Sequence, residues 1–310
     1  RIPSHPGIER QEEQVVLALA RFFGERDLGV QLEEILPGRP NLMVSVQGGR
    51  PGPHLLFCGH TDTVPLNSGD PGFGLSGDIR DGRLLGRGSV DMKSAVAAMA
   101  VAVVALSRHL PAGRVSFAAV IDEEMESLGA EQLVDTSFRA DGAVVGEPTS
   151  NRIALGHKGL EWLEVHFQGR SAHGGTPEKG INAVSAAGMF LALVEHELKP
   201  RLLARRHPIL GPPTLNFGTI RGGDQPSTVA ATCLLTLDRR TVPGENFQSV
   251  VSELTDLLER VERSFPGLHA VVRRVQGGMG NLLHVALVTA PEAPLAMAAQ
   301  APAADVGRIK

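Results

Sequence analysis

Between Asn41 and Thr149 the chain alternates. Short β-rich runs, NLMVSV, HLLFCGH, VSFAAVID and GAVVGEPT, are separated by helix-compatible ones, an apolar alanine-rich stretch from Ser94 and a second near Leu128. Such a chain buries both kinds of element by gathering the strands into a sheet and laying the helices over its faces. From Gly159 the rhythm changes. A strand (GLEWLEVHFQG) leads to a helix over 180–198, two strands (TLNFGTIRGG and STVAATCLLTLDRR), a second helix over 245–263 and a strand (LHAVVRRV). That order, βαββαβ, is the split motif of a ferredoxin-like α+β domain. After Gln276 a glycine-rich turn and a helical stretch, Pro294 to Val306, are expected to return to the first domain. The expected organisation is therefore 1–158, an inserted 159–276, and a return segment 277–310.

The bulk properties narrow the function classes. At 310 residues with 42% hydrophobic content, the chain can bury a proper core. Its formal charge of −4 is small for this length, and mixed signs along the chain provide no basic surface for nucleic acid or anionic lipid. Small molecules or a second copy are the expected partners. Cys58 and Cys233 stand far apart in apolar runs, which reads as buried thiols in a reducing, cytoplasmic compartment. No apolar run reaches the ~18 residues that span a bilayer. The chain begins at Arg1 without a methionine or a signal-peptide pattern, so its natural start is expected to lie upstream.

Four segments of the first domain share one grammar. HLLFCGHTD, GRGSVDMKSA, SFAAVIDEE and AVVGEP each carry an imidazole or carboxylate to the end of a strand or the start of a helix. In open α/β sheets those ends converge on one crevice. The groups are His60, Asp62, Asp91, Asp122, Glu123, Glu124 and Glu147. So many carboxylates without matching Arg or Lys repel one another unless some are protonated or a cation sits among them. One imidazole with several carboxylates suits zinc, cobalt or manganese better than magnesium or calcium. Asp62, two positions past His60, falls on the same side of a locally extended chain and can accept the second imidazole proton. Glu123 and Glu124, if extended, point in opposite directions, so one is free to act as a base beside a ligand.

The motifs HTDTVP, GRGSVDMKSAVAAM, IDEEMESLGA, GEPT, GRSAHGGTPEKGINAV and GTIRGGDQPSTVAATCLLTLDRRTVPGE together resemble a family of metal-dependent amidohydrolases and exopeptidases. It includes acetylornithine deacetylase, succinyl-diaminopimelate desuccinylase and the glutamate carboxypeptidases. The resemblance runs from about Ile2 to Phe265. It implies a three-layer, zinc-exopeptidase-like α/β catalytic domain with an inserted ferredoxin-like lid and dimerisation domain. It also implies two Zn2+ ions, with Co2+ or Mn2+ as substitutes. His60 and Glu147 then match the terminal ligands of one zinc, Asp91 the bridging carboxylate and Glu124 a ligand of the second. Glu123 matches the general base, Asp62 the partner of the His60 ring, and His173 of SAHGG an oxyanion stabiliser. Arg240 matches the arginine that binds the substrate's free carboxylate, and Arg239 is expected to be solvated on the opposite face.

Ser227 stands at a substrate-side position where the family usually carries asparagine, and Ala230 where it usually carries proline. The family places a further histidine ligand beyond the last helix. His284, which precedes that helix, lacks the context and is expected to be a packing residue. The chain is accordingly expected to be a fragment clipped at both ends. The implied activity is cleavage of an amide bond in an N-acyl amino acid or small peptide with a free carboxylate, by a cytoplasmic homodimer paired through the lid domain. The alternatives are a dipeptidase or carboxypeptidase of the same family and a non-catalytic binding homologue.

Overall fold

The computed structural model of the protein describes residues 2–67, 74–277 and 284–305. The chain divides into two compact units, Arg1–Arg152 and Ile153–Lys310.

The first unit runs α1 (Glu13–Gly24), β1 (Val30–Leu36), β2 (Arg39–Gln47), β3 (His54–His60), a small hairpin β4 (Asp78–Arg80) and β5 (Arg83–Leu85), α2 (Lys93–Arg108), β6 (Arg114–Val120), α3 (Leu128–Asp135) and β7 (Gly142–Val145). Its main sheet has the order β1-β2-β6-β3-β7. Strands β6, β3 and β7 are parallel, and β2 and β1 extend the sheet antiparallel. Alternation along β6 explains the layering. Val115, Phe117 and Ala119 join Val16 and Phe23 of α1 and Val96, Met99 and Val103 of α2. Ala118 and Val120 point the other way, to Leu56 and to Leu133 of α3. Burial on both faces from Val115 to Val120 is why β6 reads as a nearly continuous apolar run. Each fully buried Val, Leu or Phe contributes roughly 1.5–3 kcal/mol. The elements α1 and β1 extend the layered unit upstream of the alternation read from Asn41 onward.

The second unit runs β8 (Gly156–His157), β9 (Gly159–Gln168), α4 (Ala183–Leu193), which passes through a π turn at Val194–Leu198 into α5 (Lys199–Ala204), then β10 (Thr214–Gly222), β11 (Thr232–Thr241), α6 (Phe247–Ser264), β12 (His269–Arg274), β13 (Leu287–Val288) and α7 (Pro294–Asp305). The sheet order β10-β11-β9-β12 is antiparallel throughout, as the split βαββαβ order requires. Leu163, Val165 and Phe167 of β9, with Leu235 and Leu237 of β11, pack against Ala183, Ala187 and Phe190 of α4 and Leu254, Leu257 and Val261 of α6. Asn182 caps α4 by accepting from the N–H groups of Val184 and Ser185. Asn246 and Ser249 cap α6 reciprocally. Strand β13 pairs with β8, and the described C-terminal stretch groups with this second unit. Most of the glycine-rich turn after Gln276, and Val306 onward, lie outside the described residues.

Arg239 departs from expectation. It does alternate away from Arg240, but the face it reaches is the one covered by α6, so it is 0% exposed. Its Nη2 donates to Glu245 Oε1 at 2.6 Å and its Nη1 to the Arg240 carbonyl at 2.6 Å. Alternation fixed its direction correctly; the basic side chain suggested a solvated face that the fold does not provide there. Among the described residues no helix is long and apolar enough to cross a membrane.

Candidate metal centre

The parallel strands β3, β6 and β7 end on one rim of the first sheet, and α2 begins there. His60 is the last residue of β3, Asp91 lies in the turn that opens α2, Glu123 and Glu124 follow β6, and Glu147 follows β7. Two glycines let α2 approach the rim closely. A Cβ on Gly59 would stand 2.5 Å from the Met92 methyl, and one on Gly146 2.9 Å from the same atom. Met92, fully buried in that gap, accepts the His60 backbone N–H on its sulfur at 3.3 Å. The start of α2, and with it Asp91, is thereby held against the ends of β3 and β7.

The His60 ring is 1% exposed and its two nitrogens face different partners. Nδ1 lies 3.0 Å from the Asp62 carbonyl oxygen and 3.4 Å from Asp62 Oδ1. A carbonyl can only accept, so Nδ1 carries the proton and Nε2 is the nitrogen aimed at the acids. Nε2 lies 3.1 Å from Asp91 Oδ1, 3.8 Å from Glu147 Oε1 and 4.0 Å from Glu123 Oε2. Ligand atoms of His60, Asp91 and Glu147 all lie within 4.8 Å of one another, as do those of His60, Glu123 and Glu124.

Asp62, 0% exposed, accepts from the Glu123 N–H at 3.2 Å and the Glu124 N–H at 3.0 Å. The segment after β6 is not the extended stretch expected from IDEEMES. It is a turn that opens on Asp122 at φ 66, whose carbonyl takes the N–H groups of Met125, Glu126 and Ser127. Both glutamates therefore approach His60 instead of pointing apart.

Sequence reasoning missed what holds this turn. Asn41 of β2 accepts from Ile121 N–H at 3.1 Å and donates to the Gly129 carbonyl at 2.8 Å, gripping both ends. Arg39, also of β2, donates to Asp122 Oδ1 at 2.7 Å and, through Nε and Nη2, to the fully buried Glu12 at 2.6 Å each. The acids flanking that guanidinium raise its pKa further. The signal was present in RPNLMVSV, where an arginine and an asparagine interrupt a strand rich in apolar residues.

Electrostatics show the strain of gathering these groups. Burial pushes the Glu123 carboxyl up to about 7 against the attraction of His60, with Glu147, Glu124 and Asp62 adding to the rise. Burial, with neighbouring carboxylates, likewise raises Glu124 and Glu147. Burial alone would depress His60, but the Asp62 carboxylate, with Glu123 and Glu147, outweighs it and lifts the ring to about 9. Asp62 is lowered by His60 and by the two backbone N–H groups despite its burial. Among the described residues no lysine or arginine pairs with Asp91, Glu123, Glu124 or Glu147. A converging set of one imidazole nitrogen and several carboxylates, short of cationic partners, fits a divalent transition metal in donor type and crowding.

In the second unit, the loop bearing His173 and the one bearing Ser227 run together. The Gly174 N–H donates to the Ser227 carbonyl at 2.7 Å, and Val229 N–H to the Ala172 carbonyl at 2.9 Å. His173 is exposed, and its Nδ1 accepts from the Gly175 N–H at 3.0 Å, so the neutral ring carries its proton on Nε2. Arg240 stands on the face of β11 opposite the helices, its side chain 44% exposed. The His284 carbonyl accepts the Leu160 N–H at 3.0 Å across an isolated bridge, and His157 lies on β8. The thiols of Cys58 and Cys233 are free, and burial pushes Cys58 up to about 11, with a contribution from Glu147.

Residues 155–266 match the family described as a peptidase dimerisation domain, and residues 41–146 match peptidase family M28. Acetylornithine deacetylase from Vibrio cholerae is 31% identical over 261 residues, which span 82% of this chain and 68% of that protein. The Proteus mirabilis acetylornithine deacetylase is 32% identical over 269 residues, or 84% and 68%. In three dimensions the chain is similar to aminopeptidase PepT from Bacillus cereus, with a TM-score of 0.76 and 21% identity over 99% of this chain and 79% of that one. It is also similar to the Bacillus subtilis YXEP protein, a dinuclear metal binding peptidase from the M20 family, with a TM-score of 0.69 and 14% identity over 98% and 77%. The structural likenesses establish the fold. Together with the sequence matches, they show that the protein belongs to the M20 family of metal-dependent peptidases and deacylases, the hydrolases of amide bonds that include acetylornithine deacetylase.

Proposed function

We propose that the protein is a two-zinc hydrolase of N-acyl amino acids or small peptides bearing a free carboxylate, in the manner of a deacetylase or desuccinylase. The observation that carries this reading is the convergence of His60, Asp91, Glu123, Glu124 and Glu147 on one rim. His60 Nε2 and Glu147 would hold one ion, Glu124 the other, and Asp91 would lie between them. When bound, the ions supply Lewis-acid polarisation of the scissile carbonyl and acidify the attacking water.

The chain's own residues do the rest. Asp62 fixes the His60 ring and, by accepting from the Glu123 N–H, holds the base in place. Glu123 takes the proton from the attacking water and returns it to the leaving amine. His173, with its Nε2–H directed outward by the Gly175 bond to Nδ1, donates to the oxyanion. Arg240 takes the substrate carboxylate in a bidentate fork that lysine does not reproduce, and Ser227 is assigned a substrate contact. The family described for residues 155–266 supports a homodimer paired through the second unit, and the free thiols support a reducing, cytoplasmic setting. A dipeptidase or carboxypeptidase uses the same residues with a different acyl pocket.

The test is Glu123→Gln beside His60→Ala. The first is expected to keep its metal content and lose turnover by two orders of magnitude or about that; the second to bind substoichiometric metal. Full activity in Glu123→Gln removes it as the base, and unchanged metal content in His60→Ala removes that residue as a ligand.

A further inference from the structure

We infer that Asp238 is a positioning residue that aims Arg240 at the substrate carboxylate, anchored by Trp162. This deepens the reading of Arg240 given above and rests on it. Asp238 and Arg240, two apart on β11, share the face turned away from α4 and α6, and Trp162 is the direct cross-strand partner of Asp238 on β9. Asp238 Oδ1 accepts from Arg240 Nε at 2.8 Å, and its Oδ2 accepts from Trp162 Nε1 at 3.0 Å. The carboxylate is thus pinned at both oxygens. Among the described residues Asp238 is the hydrogen-bond partner of the Arg240 guanidinium, and the contact uses Nε alone. That leaves the end bearing Nη1 and Nη2 to meet a carboxylate in the end-on fork geometry.

The arrangement makes a counterintuitive prediction. By net charge, an aspartate 2.8 Å from the arginine weakens anion binding, so its removal should tighten it. By positioning, its removal frees a long, half-exposed side chain that must be ordered again at each binding event, so affinity for the carboxylate falls. The second effect dominates if Trp162 holds Asp238 for that purpose. Asp238→Asn keeps one acceptor for Arg240 Nε but presents an N–H2 group to Trp162 Nε1, setting donor against donor. Trp162→Phe removes the anchor and keeps the charge.

The test compares an N-acyl amino acid that the metal-loaded full chain hydrolyses with its C-terminal carboxamide. Asp238→Ala is expected to raise KM for the carboxylate substrate about tenfold and Trp162→Phe about threefold, with kcat within twofold and the carboxamide unaffected. Asp238→Ala/Arg240→Met should be no worse than Arg240→Met alone. An unchanged or lowered KM in Asp238→Ala, while Arg240→Met loses its preference for the carboxylate, overturns the positioning inference and leaves the Arg240 reading intact. If Arg240→Met itself keeps that preference, the Arg240 reading falls and the inference with it. A readout independent of turnover is the Arg240 Nε–H resonance in nitrogen-resolved NMR. Its solvent exchange should accelerate severalfold in Asp238→Ala; unchanged exchange overturns the inference.

Discussion

Loading the metal centre must expel protons, and the amount follows from the groups at the rim. In the metal-free protein His60 sits at about 9 and Glu123 at about 7. At pH 7 the pair therefore holds roughly one and a half protons, which have to leave before Nε2 can ligate and Glu123 can ionise. The proton on His60 Nε2 competes with metal for that nitrogen, and the charge of bound metal favours the ionised form of the neighbouring Glu123, so affinity is lost as pH falls. Between pH 6 and pH 8 the apparent affinity should rise by roughly two to three orders of magnitude, most of it from His60. That range corresponds to about 3–4 kcal/mol. The assay is a competition titration of chelator-treated protein with cobalt or zinc against a chromophoric chelator at pH 6, 7 and 8. Calorimetric heats in two buffers of different ionisation enthalpy at pH 7 count the protons directly. Glu123→Gln should lose its own share and part of the His60 share, because Glu123 is one of the carboxylates that raise the ring. A change in affinity below tenfold across the window, or identical heats in the two buffers, would refute the reasoning that crowded carboxylates hold His60 as an imidazolium.

Other outcomes follow from the same geometry. Without metal, the raised Glu123 contributes stability below pH 4.5 that is lost as pH passes about 7, and the raised His60 contributes stability below pH 6.5 that is lost as pH passes about 9. The Tm of the metal-free protein should therefore fall between pH 6 and pH 9 and recover on adding metal; a flat profile counts against the crowding. Arg39→Leu strands Glu12 and Asp122, and kcat measured well below the Tm is expected to drop about tenfold as the 122–127 turn loosens. A lowered Tm with kcat unchanged would mean that Asp62 and Asn41 hold the turn alone. Arg239→Met leaves Glu245 buried with Arg205 at 3.2 Å as its remaining cation, so the cost should sit near the low end for a broken buried pair, ~3 kcal/mol, or roughly 8 °C in the Tm of the second unit. A shift under 2 °C by calorimetry would show that Arg205 substitutes fully.

The rim of acids was legible because its chemistry is written at strand ends. HLLFCGH stops on an imidazole, GAVVGE reaches a carboxylate one residue past a glycine, and parallel topology brings such ends together whatever the intervening lengths. The βαββαβ unit was legible for a related reason: two-residue periodicity in β9 and β11 and 3.6-residue periodicity in α6 survive without any long-range information. The turn at Glu123 and Glu124 was not. Its shape depends on Asp62, Arg39 and Asn41, residues separated from it by many positions, and on a left-handed Asp122 that nothing in IDEEMES announces.

Arg239 shows the limit of local pattern most sharply. The alternation of β11 predicts that Arg239 and Arg240 part company, and they do; what it cannot predict is which face α6 covers. The pairing with Glu245 settles that after the fact, since VPGE returns an acid to the strand end and α6 begins directly after it. A buried arginine and an exposed one, adjacent in sequence, are thus set on opposite faces by the pleat alone. The buried member fixes the strand end through Glu245, whose other oxygen accepts the Val242 N–H at 3.0 Å. Arg240 can then project from a rigid platform, which is the condition a bidentate carboxylate site needs.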